Sequence, residues 1–153
     1  MGYGVVSQEG DTLRALDYGA LATEPGEPMS KRLYELYCGL RAKVAQYRPD
    51  VMAVERLYFG RNVTTAEMVY QARGVALMTA AEFGFVPYEP KPSEVKLAVC
   101  GNGAAEKSQV QGMVRVLLRL RETPRPDDAA DALAIALTGL SLASFGRENG
   151  RGN

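Results

Sequence analysis

Histidine is absent from the 153 residues, and cysteine occurs only twice, at Cys38 and Cys100, without paired spacing. Those shortages exclude zinc sites of the Cys/His kind, cysteine–histidine nucleophile pairs and histidine general bases. Whatever chemistry exists must run on carboxylates, lysines, hydroxyls or bound ions. Each cysteine reads as a small buried apolar residue in a reducing compartment. Long apolar runs are also missing. The longest, residues 132 to 145, is interrupted by Thr138, Gly139 and Ser141 and is shorter than the roughly 20 residues a membrane span needs. The start MGYGVVSQEG has neither the basic region nor the apolar core of a secretory signal, so a cytoplasmic location is expected.

What remains is ordinary in bulk. Hydrophobic content of 46% and charged content of 24% suit one globular domain, and a chain of this length buries roughly two thirds of its unfolded surface. The net charge of zero argues at first against a nucleic-acid partner. Its distribution says more, since residues 1–55 carry 6 basic and 8 acidic side chains whereas residues 91–125 carry 7 basic and 3 acidic. A locally basic face on a neutral chain can still bind phosphate.

The pattern along the chain is a βα alternation. Residues 3–8 and 12–18 flank the turn Glu9-Gly10-Asp11 as a hairpin. Ser30 can cap a helix with Leu33, Leu36, Tyr37, Leu40 and Val44 on one stripe, ending near Tyr47 ahead of Pro49. Residues 51–54 form a short apolar run without alternation, as a strand covered on both faces does. A helix from about residue 65 to 83 follows, so a parallel sheet is implied. Its small residues, among them Ala72, Gly74, Ala76, Ala80 and Ala81, allow close packing in the core or across a dimer. FVPYEP supplies another short strand, Pro92 opens a short helix ending at Gly101, and Val110, Met113, Val114, Leu117 and Leu118 mark the next helix. Residues 1–145 read as one domain and residues 146–153 as a flexible tail.

Two segments carry the chemistry. VMAVERLYFGRN, residues 51–62, is an apolar strand ending on Glu55, followed by a loop with Tyr58, Phe59, Arg61 and Asn62. PDDAADALAIAL, residues 126–137, opens a helix with Asp127, Asp128 and Asp131. Asp128 and Asp131 stand three apart, on one helical face. A cap or a favourable helix dipole accounts for one acid after Pro126. It does not account for Asp131, which lies in an alanine- and leucine-rich stretch where burial is expected, nor for Glu55 at the end of an apolar strand. Buried carboxylates are costly unless paired or bound to metal. Carboxylates without histidine or thiolate favour magnesium or manganese, and three of them beside aromatics and cations suggest metal ions acting on a phosphodiester.

VERLYFGRN, QARG, PSEVKLAVCGNGAAEKSQVQGMV and DDAADALAIA resemble, in order, segments of the RuvC family of bacterial Holliday junction resolvases. The resemblance runs through residues 2–145. It implies an α/β ribonuclease H-like fold, with a mixed sheet of N-terminal hairpin strands plus parallel strands flanked by helices. It also implies a homodimer that nicks four-way DNA junctions symmetrically with two magnesium or manganese ions, in recombination and repair, with RuvA and RuvB as possible branch-migration partners. On this resemblance Glu55, Asp128 and Asp131 are metal ligands, Asp128 or Lys107 also orients the water or neutralises charge on the phosphate, and Asp127 is a cap or outer acid. Tyr58 and Phe59 act near the junction centre, where aromatic faces can stack on bases. Lys96 and Lys107 face DNA phosphate, and Arg61, Asn62 and Arg73 join the DNA-binding set. Other readings stay in view: a catalytically impaired junction-binding dimer, or another ribonuclease H-like nuclease.

The resemblance has one departure. In the family the segment like GYGVV is preceded by a strand ending in an aspartate that binds both metals, whereas here Met1-Gly2-Tyr3 begins the numbering. The expectation is that the natural protein extends further and that the chain as numbered cleaves little or not at all.

Overall fold

The computed structural model describes residues 1–57 and 63–149, without the side chains of residues 63–66 and 145–149. Strands β1 (Gly2–Glu9) and β2 (Thr12–Ala20) form an antiparallel hairpin. The turn between them works because Gly10 takes a φ of +58°, a left-handed conformation that glycine tolerates without strain. Helices α1 (Met29–Tyr47), α2 (Val63–Glu82), α3 (Pro92–Cys100), α4 (Lys107–Leu117) and α5 (Asp127–Asn149) follow. All five helices and both hairpin strands fall where the sequence pattern puts them, within a few residues. α1 starts at Met29 after Pro28, with no side-chain cap, so Ser30 is inside the helix rather than at its edge. α5 carries helical backbone to Asn149, into the segment expected to be tail.

The parallel part of the sheet is slighter than expected. Residues 51–54 and the YEP segment meet in a single parallel bridge, Ala53 to Tyr88. Tyr88 donates to the Met52 carbonyl at 2.8 Å, Val54 to the Tyr88 carbonyl at 2.8 Å and Arg56 to the Pro90 carbonyl at 3.0 Å.

Helices cover both faces of the hairpin. Val6, Leu13 and Ala15 pack against a core of Val95, Val99, Val110, Val114, Leu118, Leu133, Ala134 and Leu137 from α3, α4 and α5. Between Ala15 and Asp17 the ladder has a bulge: Val6 pairs with Ala15 and Val5 with Asp17, leaving Leu16 unpaired. One extra residue reverses the alternation. Asp17 therefore turns away from the apolar core to the α1 face, where Lys43 meets it at 2.7 Å and Tyr3 donates to it at 3.2 Å. Burial opposes ionisation of Asp17, but hydrogen bonds from Lys43, Tyr47 and Tyr3 outweigh it and hold the carboxyl below its usual range. α1 is tied to α2 by Tyr37 and Arg41, both donating to Glu82.

α1 buries Leu36, Leu40 and Val44, and α2 buries Val75, Ala76, Thr79 and Ala80. Ala76 and Ala80 thus belong to the lean packed face, while Gly74 and Ala81 are exposed. Cys38 is exposed, contrary to the buried reading, and Cys100 is half-buried against the core. Among the described residues no helix is long and apolar enough to cross a membrane.

α5 lies on the hairpin at very close range. A Cβ at Gly4 would stand 2.9 Å from the Leu133 amide nitrogen, and one at Gly2 would overlap the Asp128 carbonyl. Further along, Gly139 presses against Ala53. Leu133 itself is fully buried. Leu133→Ala should therefore lower unfolding stability by about 2–5 kcal/mol in denaturant titration. Gly2→Ala, at the strand end, should disturb Asp128 first. In that variant metal-dependent activity should fall by a larger factor than the melting temperature suggests.

Candidate active site

A cleft of about 1220 Å³ separates β1 from residues 51–55. Its floor is α5, through Ala132, Ile135 and Ala136, and Glu55, Asp128 and Asp131 all line it. The two strand-like walls face each other edge to edge. Residues 52, 54 and 56 spend backbone groups on residues 88 and 90, the Glu55 carbonyl accepts from Arg73, and residue 53 turns its groups toward the cleft.

The acids differ from expectation in burial. Glu55 is half-buried as expected, and burial first, then the negative charge of Asp131, pushes its carboxyl above the ordinary glutamate value of 4.5. Asp131 is not the buried acid its neighbours suggested, since its side chain is 46% exposed. The apolar residues around it, Ala129, Ala130, Leu133 and Ala134, face the core on the other side of α5. Asp131 instead has a counter-charge: Lys107 Nζ stands 3.0 Å from its Oδ2 and 3.5 Å from Asp127 Oδ2. The hydrogen bond to Asp131 and the charges of both aspartates raise the Lys107 pKa. Asp127 is the first residue of α5 and also meets Arg125 at 3.4 Å, as an outer acid does. Asp128 is exposed at the mouth of the cleft. Acids in this first turn sit at the positive end of the helix dipole.

Lys107 is the first residue of α4, and that helix begins with a reciprocal cap between Glu106 and Gln109. The cap fixes the direction in which the lysine leaves the backbone. Lys96 lies half-buried on α3 and does not line the cleft. Arg73 lines it, but its guanidinium is engaged inside the fold: Nε donates to the Glu55 carbonyl at 3.0 Å and Nη2 pairs with Glu89. The expected phosphate contact from Arg73 is thus replaced, in this geometry, by two internal ones. Tyr58, Phe59, Arg61 and Asn62 lie outside the described residues.

The donor chemistry fits a hard divalent cation. Glu55 and Asp131 act on each other as like charges, and a cation between them removes that repulsion. Among the described residues no three of His, Cys, Asp or Glu converge closely enough to hold a metal ion by themselves. Magnesium does not need such a cage, because it is commonly held by one or two carboxylates with water and substrate phosphate completing the shell. Sequence patterns missed the role of Glu89 and the approach of Gly2 to Asp128. The signals were present as the alternate glycines of GYG, and as Pro90, which leaves a gap in the ladder beside Glu55.

Glu55 also has a stability consequence. Because its folded-state pKa is raised, the folded chain holds that proton more tightly than the unfolded one. Stability then falls as pH rises from about 4.5 through the higher folded value, and the deficit is complete at neutral pH. Without metal, Glu55→Gln should melt a few degrees higher than the parent at pH 7.5, and the gain should vanish below pH 4.5.

Comparison with known proteins gives a consistent result. The family model for crossover junction endodeoxyribonuclease RuvC matches residues 1–139. The chain is 54% identical over 150 residues to the crossover junction endodeoxyribonuclease RuvC of Chloroflexus aggregans, covering 95% of this chain and 92% of that one. It is 48% identical over 145 residues to the protein of the same name in Brevibacillus brevis, covering 95% and 87%. Among solved structures, Thermus thermophilus RuvC superposes with a TM-score of 0.86 at 39% identity, covering 95% of this chain and 89% of that one. The Thermus thermophilus RuvC complex with Holliday junction substrate superposes with a TM-score of 0.85 at 37% identity and the same coverage.

Proposed function

The chain belongs to the crossover junction endodeoxyribonuclease RuvC family, with a ribonuclease H-like fold, and from that premise we propose how its residues act on a four-way DNA junction. The observation that carries the reading is the cleft, which collects Glu55, Asp128 and Asp131, with Lys107 paired to Asp131 and to Asp127 beside it. The protein is a structure-specific endonuclease that resolves Holliday junctions by nicking DNA in recombination and repair. Glu55, Asp128 and Asp131 hold two magnesium or manganese ions. When bound, such ions supply a polarised water and neutralise charge on the departing oxygen. Glu55 contributes its charge from a half-buried position where solvent screens little. Asp128 and Asp131 offer oxygens from one rigid helix.

Lys107 is the counter-charge of Asp131 in the absence of a cation. With a divalent ion held at Asp131, Lys107 would lose that carboxylate partner and would be free to turn to the scissile phosphate. Tyr58 and Phe59 stack on bases near the junction centre, and Arg61, Asn62 and Lys96 contact the backbone. The unit acts as a homodimer in the cytoplasm, since symmetric nicking needs two sites facing two strands, and a branch-migration complex of RuvA and RuvB is its natural partner. A second reading, a junction-binding dimer with impaired cleavage, is favoured by the lack of a three-acid cluster among the described residues.

A labelled four-way junction in magnesium tests this. The chain should nick such a junction symmetrically, and an RNA:DNA hybrid should resist cleavage. Glu55→Gln should abolish nicking and leave junction binding intact. If the chain binds the junction and does not cut it, the non-cleaving reading replaces the nuclease. Lys107→Ala should bind metal more tightly and yet cut more slowly by roughly 10–100-fold, because it removes both the competitor and the phosphate partner. Unchanged metal affinity in that variant would contradict the exchange.

A further inference from the structure

Glu55 stands where its own strand pairing lapses. Tyr88 and Val54 complete two ladder bonds with Met52 and Tyr88, and Arg56 completes one with Pro90. The remaining bond of that parallel series would run from the amide of residue 90 to the carbonyl of residue 54, and Pro90 has no N–H to give. The lapse falls on the residue immediately before Glu55. Arg73 spans it from α2, with Nε on the Glu55 carbonyl at 3.0 Å and Nη2 on the Glu89 carboxylate, between Tyr88 and Pro90. One planar guanidinium therefore joins both segments at the point where the ladder fails.

The choice of atoms matters. Arg73 bonds the Glu55 carbonyl, and among the described residues no ion pair reaches the Glu55 carboxylate. The charge of Arg73 is balanced by Glu89, and its side chain is only 19% exposed. The clamp thus fixes the backbone of Glu55 while leaving its carboxylate oxygens free of a protein cation. That is what a ligand needs when the neighbouring negative charge of Asp131 acts to drive it away.

We propose that Arg73, held by Glu89, is a positioning residue that fixes the Glu55 backbone so that its carboxylate stays turned toward the cation site it shares with Asp131. This inference rests on the metal-dependent nuclease reading. It assigns Arg73 to the metal site and not to DNA phosphate.

The test uses the full chain with Arg73→Lys, Arg73→Ala and Glu89→Gln. Mn2+ binding is followed by electron paramagnetic resonance without DNA, and four-way junction binding is measured in EDTA over a range of salt. Arg73→Lys keeps the charge and most of the stem packing but cannot make both contacts. It should weaken Mn2+ binding by about 10–100-fold, the usual effect of losing a partner that orients a ligand. Junction affinity in EDTA should stay within about twofold, with an unchanged salt slope. Glu89→Gln leaves the bond to Glu55 in place but loosens the guanidinium, and should shift Mn2+ binding the same way by a smaller factor. Arg73→Ala should repeat the lysine result; should it fail to fold, the lysine and glutamine variants decide alone. The proposal is overturned if Arg73→Lys binds Mn2+ like the parent. It is equally overturned if Arg73→Ala weakens the junction complex and lowers the salt slope by about 1, the mark of a lost phosphate contact. A parent chain with no saturable Mn2+ binding sinks the metal-site reading itself, before any variant is compared.

Discussion

The close seating of α5 on the hairpin, with Gly2 and Gly4 against the backbone of Asp128 and Leu133, is the constraint on which the candidate site depends. The negative charge of Asp131 bears on Glu55, and the backbones of the two acids are held by different means. Asp131 belongs to a long helix whose opposite side is closed into the core by Ala129, Ala130, Leu133, Ala134 and Leu137. That helix cannot drift from the sheet, because Gly2, Gly4 and Gly139 let it touch β1 and Ala53 with no side chain between. Glu55 has only a short bridge on one side and a cleft on the other. For it the tie comes from Arg73. Packing density supports one acid and a single polar clamp supports the other.

The same contrast explains where charge is tolerated. Asp127, Asp128 and Asp131 lie in the first turn and a half of α5, where the helix dipole favours them and water still reaches them. Glu55 has neither benefit, and its carboxyl is accordingly the one whose ionisation burial opposes. Lys107 offsets part of the repulsion from the outside. A site of this kind is destabilising in the empty state and gains stability from its ligand, as functional sites tend to.

Much of this was legible in the sequence. The five helices follow from apolar spacing punctuated by proline and glycine, and the hairpin from its turn. The acids at 55, 128 and 131 stood out as charges in apolar surroundings. The bulge at Leu16 was not legible, because inserting one residue leaves the local alternation looking regular while it turns Asp17 to the other face. The weakness of the pairing at residues 51–54 was hidden for a related reason: an apolar run signals burial on two faces, not the number of hydrogen bonds at its edges. Asp131 was expected to be buried because its sequence neighbours are apolar. Helical geometry puts those neighbours on the far side, and one hundred degrees of rotation per residue is enough to leave an aspartate in water between two core alanines and a leucine. Arg73 joined the DNA-binding set through the resemblance of QARG to the family, and no sequence pattern reveals that its partners are the Glu55 carbonyl, in the segment just before its own helix, and Glu89.

Net charge was the weakest guide of all. The chain sums to zero, yet charges count for recognition only when they are not already consumed. Lys31, Arg41, Lys43 and Arg73 are paired with Glu27, Glu82, Asp17 and Glu89. Those four acids are neutralised with them, so these pairs cancel locally and leave little field at a distance. What a polyanion meets is the remainder, and in residues 91–125 the remainder is basic by composition. At one end of the cleft Glu55, Asp128 and Asp131 gather, with Lys107 paired to Asp131, while Arg32, Lys43, Arg48 and Arg73 also line the cleft. A phosphate would be repelled from that end of the cleft and attracted to its surroundings, and a divalent cation changes the sign of the first without touching the second. The zero sum thus conceals an uneven distribution, basic over residues 91–125 and acidic where Glu55, Asp128 and Asp131 meet the cleft.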